Sequence, residues 1–125
     1  MRLRRHAVLG LCGLLGFLLL CSGLPSPGRA AAPGRPALYE FGAGYCAACK
    51  EMAKIMADLQ AHYGQHLEFR QVYASKDKDL FQKYKIVLIP TQVFLDASGK
   101  EVYRHMGALS RDQVINKLKA LKFID

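Results

Sequence analysis

The chain has 125 residues, of which 51% are hydrophobic, and a formal net charge of +8. That length holds one small domain with a core of its own and excludes a multidomain assembly. The charge does not indicate nucleic acid: Arg2, Arg4, Arg5, Arg29 and Arg35 all precede the first acid, Glu40, so five of the eight net charges lie ahead of residue 37 and the remaining +3 is scattered.

The amino terminus opens on the basic Met1–His6 and continues as an uncharged, Leu-rich run from Ala7 to Leu24. Residues 1–24 therefore read as a signal peptide or a signal anchor; the run sits at the lower edge of the ~20 residues that span a bilayer, and cleavage and retention both stay open. Pro25 to Pro36 is rich in Pro, Gly, Ala and Arg and reads as a flexible tether, with the domain at residues 37–125. An exported protein follows, in the periplasm or on the extracytoplasmic face of a membrane. Cys12 and Cys21 belong to the leader, which leaves the domain Cys46 and Cys49. Two cysteines three positions apart close too small a loop to staple a fold, so the pair calls for a chemical role.

Ala37–Phe41 is short and mostly apolar, as a buried strand is, with Glu40 as the odd member and Gly42 and Gly44 ending it. From Cys46 the period changes: Met52, Ile55, Met56, Leu59 and Tyr63 recur at intervals of three and four, a helix that Gly64 terminates. Leu67–Tyr73 reads as a second strand and Asp77–Tyr84 as a short helix. Ile86–Ile89 runs apolar into Pro90. Thr91–Leu95, the turn Asp96–Gly99 and Lys100–His105 form a hairpin. Ser110 and Gln113 make a capping box, and Val114, Ile115, Leu118 and Leu121 give the last helix its apolar stripe.

Strands joined through a helix lie parallel, whereas the hairpin adds antiparallel strands; the result is an α/β domain with a mixed four-stranded sheet and helices on both faces. Cys46 and Cys49 fall at the carboxyl end of the first strand, in the first turn of its helix, where open α/β sheets place their chemistry. Exposed N–H groups and the positive end of the helix dipole favour a thiolate at such a terminus. Cys46 is thus the expected nucleophile, and Cys49, one turn on, the thiol that returns to resolve a mixed disulfide.

The segment Glu40-Phe41-Gly42-Ala43-Gly44-Tyr45-Cys46-Ala47-Ala48-Cys49-Lys50 resembles the active-site segment of the thioredoxin family, with Tyr45 where tryptophan is usual and Ala47-Ala48 where Gly-Pro is usual. Ile89-Pro90-Thr91 is similar to that family's cis-proline loop, and Met106-Gly107-Ala108-Leu109-Ser110 to the glycine segment before its last helix. The Cys-x-Ala-Cys-Lys-Glu run is also similar to that of the carboxy-terminal domain of the periplasmic protein DsbD.

The resemblance implies a minimal thioredoxin-like core, lacking the strand and helix that open a full thioredoxin. It implies a monomeric protein-disulfide oxidoreductase without bound cofactor or metal, which exchanges disulfides with other proteins and draws electrons from a membrane carrier. It casts Glu40, six before Cys46, as the family's buried acid, the base for Cys49, and Tyr45, Ile89, Pro90, Thr91 and Gly107 as substrate contacts. Lys54 replaces the proline that kinks the long helix, so this helix is expected to run straight. Gln71 stands where a lysine is frequent near the buried acid. Ala47-Ala48 supplies no charge to stabilise the reduced thiolate, which argues for a reductase.

Two other readings compete. A thioredoxin-like binding or chaperone module would hold peptides at Pro90 without turnover. The spacing Cys46-x2-Cys49-x12-His62-x3-His66 also fits a Cys2His2 zinc finger. On a continuous helix, however, Cys49 and His62 would stand about 20 Å apart.

Overall fold

The computed structural model describes residues 34–125; the expected leader, nearly all of the tether, and Cys12 and Cys21 lie outside them. In chain order the elements are β1 (Ala37–Gly42), α1 (Ala47–Tyr63), β2 (Glu68–Tyr73), α2 (Lys78–Lys83), β3 (Thr91–Leu95), β4 (Glu101–Met106) and α3 (Arg111–Ala120). Among the described residues no helix is long and apolar enough to cross a membrane.

The four strands form one sheet in the order β2-β1-β3-β4. β1 and β2 run parallel through the α1 crossover, and β3 is antiparallel to both β1 and β4. This is the expected mixed sheet, and each strand begins and ends within a residue or so of its sequence boundary.

Strand alternation divides the core in two. Leu38 and Phe94 face α1 and α3, where they join Met52, Met56, Leu59, Val114 and Leu118 in one buried cluster. Ala37, Phe41, Val72, Val93 and Leu95 face the other way, toward Leu80, Phe81 and Tyr84 of α2 and its flanks. Helices thus cover both faces, and β1 and β3 are buried almost throughout. Strands hidden on both faces lose the alternating pattern and read as continuous apolar runs.

The helix boundaries have local causes. Cys46 is the N-cap of α1, and its sulfur accepts the Cys49 N–H at 3.3 Å. α1 runs unbroken through Lys54 over its full 17 residues, as the missing proline leads one to expect. Gly64 is the C-cap in a right-handed rather than a left-handed conformation, with φ −61°, and only a residue without a β-carbon fits there, since a β-carbon would lie 2.5 Å from the Gln60 carbonyl oxygen. In α3 the capping box is complete, with the Gln113 N–H donating to Ser110 Oγ and the Ser110 N–H donating to Gln113 Oε1.

Ile86–Ile89 departs from what its composition suggests. The run belongs to no strand, and Val87 and Leu88 project into solvent. Pro90 removes a ladder donor, so the sheet starts only at Thr91.

Leu118 is fully buried between α3 and the sheet. Leu118→Ala should lower unfolding free energy by about 2–5 kcal/mol in denaturant melts, the ordinary cost of a core cavity.

Candidate active site

The register of the sheet brings three loops to one end. Phe41 pairs with Thr91, and Thr91 pairs with Met106, so the chain leaving β1, the chain entering β3 and the chain leaving β4 lie side by side. Cys46, Pro90 and Gly107 sit in these loops. The Gly107 N–H donates to the Pro90 carbonyl at 2.8 Å, and Thr91 Oγ1 donates to the Leu88 carbonyl at 2.7 Å, tying the second loop to its neighbours. Gly107 has φ +105°, a conformation that suits glycine. The Ile89–Pro90 peptide bond is cis.

Cys46 and Cys49 form a disulfide with Cα atoms 5.2 Å apart. The two are not equivalent. Cys46, at the cap, is half-exposed, whereas Cys49 is 2% exposed and faces inward. Ala47 and Ala48 between them are exposed and bring no polar side chain to either sulfur.

Behind Cys49 lies Glu40, fully buried in the middle of β1. A β-carbon on Gly42 would stand 3.3 Å from Cys49 Sγ and 3.2 Å from Glu40 Oε2. The Cys49 sulfur and the Glu40 carboxylate therefore both lie against Gly42, where any side chain would crowd them. Gln71 Nε2 donates to Glu40 Oε2 and, at 3.4 Å, to the Glu40 carbonyl. Burial pushes the Glu40 carboxyl up to about 8 from its ordinary 4.5, and no charged neighbour contributes.

The remaining expected site residues lie at the same end of the sheet. Tyr45 is 85% exposed; Ile89 and Gly107 are half-buried; Pro90 and Thr91 are buried. Four of the large exposed hydrophobic residues, Tyr45, Val87, Leu88 and Met106, lie at this end of the sheet, with Val102 on β4 the exception. His62 and His66 are exposed at the far end of α1, where His62 Nδ1 meets the Asp58 carbonyl. The unbroken helix separates them from the sulfurs by about 20 Å, so the zinc spacing has no geometric counterpart. Among the described residues no cluster of three His, Cys, Asp or Glu side chains is disposed to hold a metal.

Residues 30–120 match the sequence model of the Thioredoxin family, most of the chain. The chain belongs to the thioredoxin family. It is 34% identical over 76 residues to the thiol:disulfide interchange protein TxlA homolog of Synechocystis sp., a match that covers 59% of this chain and 42% of the relative. TxlA of Synechococcus elongatus is 34% identical over 94 residues, 74% of this chain and 49% of the relative. The chain thus spans less than half the length of either. A crystal structure of reduced Schistosoma mansoni thioredoxin pre-protein superposes with a TM-score of 0.63 at 28% identity, covering 74% of this chain and 82% of that one.

One buried polar residue escaped the sequence reading. Gln92 on β3 is fully buried and pairs directly with Glu40 across the sheet. Its signal was a lone amide inside the apolar run Thr91–Leu95.

The buried carboxyl makes a sign-definite prediction. As pH rises from the ordinary carboxylate value toward about 8, the unfolded chain gives up the Glu40 proton first, so the folded state loses stability until the folded value is passed. Glu40→Gln lacks this penalty. Denaturant melts should find the variant and the parent close together near pH 4 and the variant more stable by on the order of 4 kcal/mol at pH 9.

Proposed function

We propose that the protein is an extracytoplasmic thiol-disulfide oxidoreductase that reduces disulfides of other proteins through Cys46 and Cys49. The observation that carries this reading is the asymmetry of the pair: a half-exposed sulfur at a helix cap, and a buried one facing a buried carboxyl. In the reduced protein the Cys46 thiolate attacks one sulfur of a substrate disulfide. An S–S bond forms between Cys46 and substrate, and the other substrate sulfur leaves as thiolate. Cys49 then loses its proton to Glu40 beside Gly42 and attacks Cys46 Sγ. The Cys46–Cys49 bond closes and the second substrate sulfur leaves. Two electrons pass to the substrate, and the oxidised pair is the form described above.

Tyr45, Ile89, Pro90, Thr91 and Gly107 are the groups that would meet the substrate, and the exposed Val87, Leu88 and Met106 suit an unfolded or extended protein segment better than a small polar disulfide. The charge-free Ala47 and Ala48 support the reducing direction. Recycling then needs an electron donor, and the membrane carrier that the resemblance implies would fill that place. The basic and apolar start of the chain supports export.

Cys49→Ser should trap protein substrates as mixed disulfides through Cys46, visible as reducible adducts on non-reducing gels, while Cys46→Ser should trap few. Equal trapping by both would overturn the division of roles. In single-turnover kinetics Glu40→Gln should leave the first attack nearly intact and slow release of reduced substrate by about a hundredfold, the usual worth of a general base. Release at the parent rate would remove Glu40 from the mechanism. Failure to reduce insulin with dithiothreitol as donor would leave a binding module instead.

A further inference from the structure

The face of the sheet beneath α1 and α3 carries two rows of side chains. One is apolar: Phe69, Leu38, Phe94 and Tyr103 occupy successive strands in register. The next, one pleat nearer the disulfide, is polar throughout: Gln71, Glu40, Gln92 and His105. Within it, four buried side-chain atoms find no hydrogen-bond partner among the described residues: Glu40 Oε1, Gln71 Oε1, and both Oε1 and Nε2 of Gln92. Orphaned atoms of this kind are rare in folded proteins, and here they stand on three neighbouring strands.

Gln92 and Glu40 are direct antiparallel partners on one face, so their β-carbons lie within about 4.5–5.5 Å. Oε1 of Glu40 is the carboxylate atom that Gln71 leaves free. At that separation a glutamine side chain is long enough for its amide to reach that atom. We propose that Gln92 is a positioning residue for Glu40, its carboxamide donating Nε2–H to Glu40 Oε1 when the carboxyl is ionised and offering Oε1 to the acid proton when it is not. This rests on the reading of Glu40 as the base for Cys49.

The chemistry explains why an amide stands there. A group that carries a proton during turnover changes from donor to acceptor, and a buried partner must serve both states. A carboxamide does so by turning over, without charge. Lysine or arginine would hold Glu40 permanently ionised and leave it no proton to exchange. Threonine is too short to reach, and methionine offers no donor. Around Glu40 the facing groups are Gln71 from β2, Gln92 from β3 and Cys49 from α1; the next titratable side chain in the row is His105, beyond Gln92.

The test compares Gln92→Met with Gln92→Thr, reading the Glu40 carboxyl by carbon-13 NMR in the intact protein. Hydrogen bonds to the charged form outweigh those to the neutral one, so loss of the donor raises the titration midpoint. Both variants should shift it upward by about one unit and slow release from the mixed disulfide by about tenfold. On the Glu40→Gln background, Gln92→Met should add no further slowing. A midpoint unmoved in both variants overturns the proposal, as does equal slowing by Gln92→Met with and without Glu40. Parent-rate release by Glu40→Gln alone would instead refute the base reading, because the midpoint is measured without turnover.

Discussion

A carboxyl group inside a four-stranded sheet has few ways to exist, and much of this molecule is arranged around that constraint. Glu40 is fully buried between its strand neighbours on both sides, with no cation among the described residues to hold it ionised. Had a lysine stood at residue 71, ion pairing would have kept the group charged at neutral pH. An amide there instead satisfies one oxygen and leaves burial to decide protonation. The result is an acid that changes state in the range where thiols themselves change state. Under the mechanism proposed above, that match would give the resolving Cys49 a nearby partner without exposing either to bulk solvent.

The rest of the architecture delivers the sulfurs to this acid. The crossover from β1 to β2 starts α1 directly over the end of β1, and the cap residue of that helix is itself the outer cysteine. Glycine at residue 42 leaves carboxylate and thiol uncrowded beside it. The antiparallel β3 returns the chain so that Pro90 arrives beside the same strand end, and β4 returns Gly107 to its other side. Three loops that are far apart in sequence thus share one rim.

Much of this was legible in the amino-acid order because its signals are local. The change of period after Cys46, the Ser110–Gln113 box and the Asp96–Gly99 turn each act over three or four residues, and the structure places those elements where they point. The acid was readable too, since a single carboxylate in an apolar strand stands out. Gln92 was harder to see: β3 is hidden on both faces, so its sequence has no alternation to say which residue looks toward Glu40, and that pairing depends on register. Val87 and Leu88 mislead in the opposite sense, because apolar composition reads as inward while their loop turns them out. Gly64 is needed for close approach to the Gln60 carbonyl, not for the left-handed turn that glycine usually signals.

The strand order has a colloidal consequence. Among the described residues β2 and β4 form the two margins of the sheet, each with one row of backbone groups that no described strand pairs. Such margins invite other chains to add on and grow into aggregates. Both are strewn with charge: Glu68 and Arg70 stand exposed on β2, with Arg70 reaching Asp77 at 3.8 Å, and Glu101 and Arg104 pair on β4 at 2.7 Å. A foreign strand laid along either margin would have to strip water from these ions. The apolar rim around the disulfide is thereby left as the surface on which sticking is cheap, which confines adhesion to the place where it can lead to chemistry.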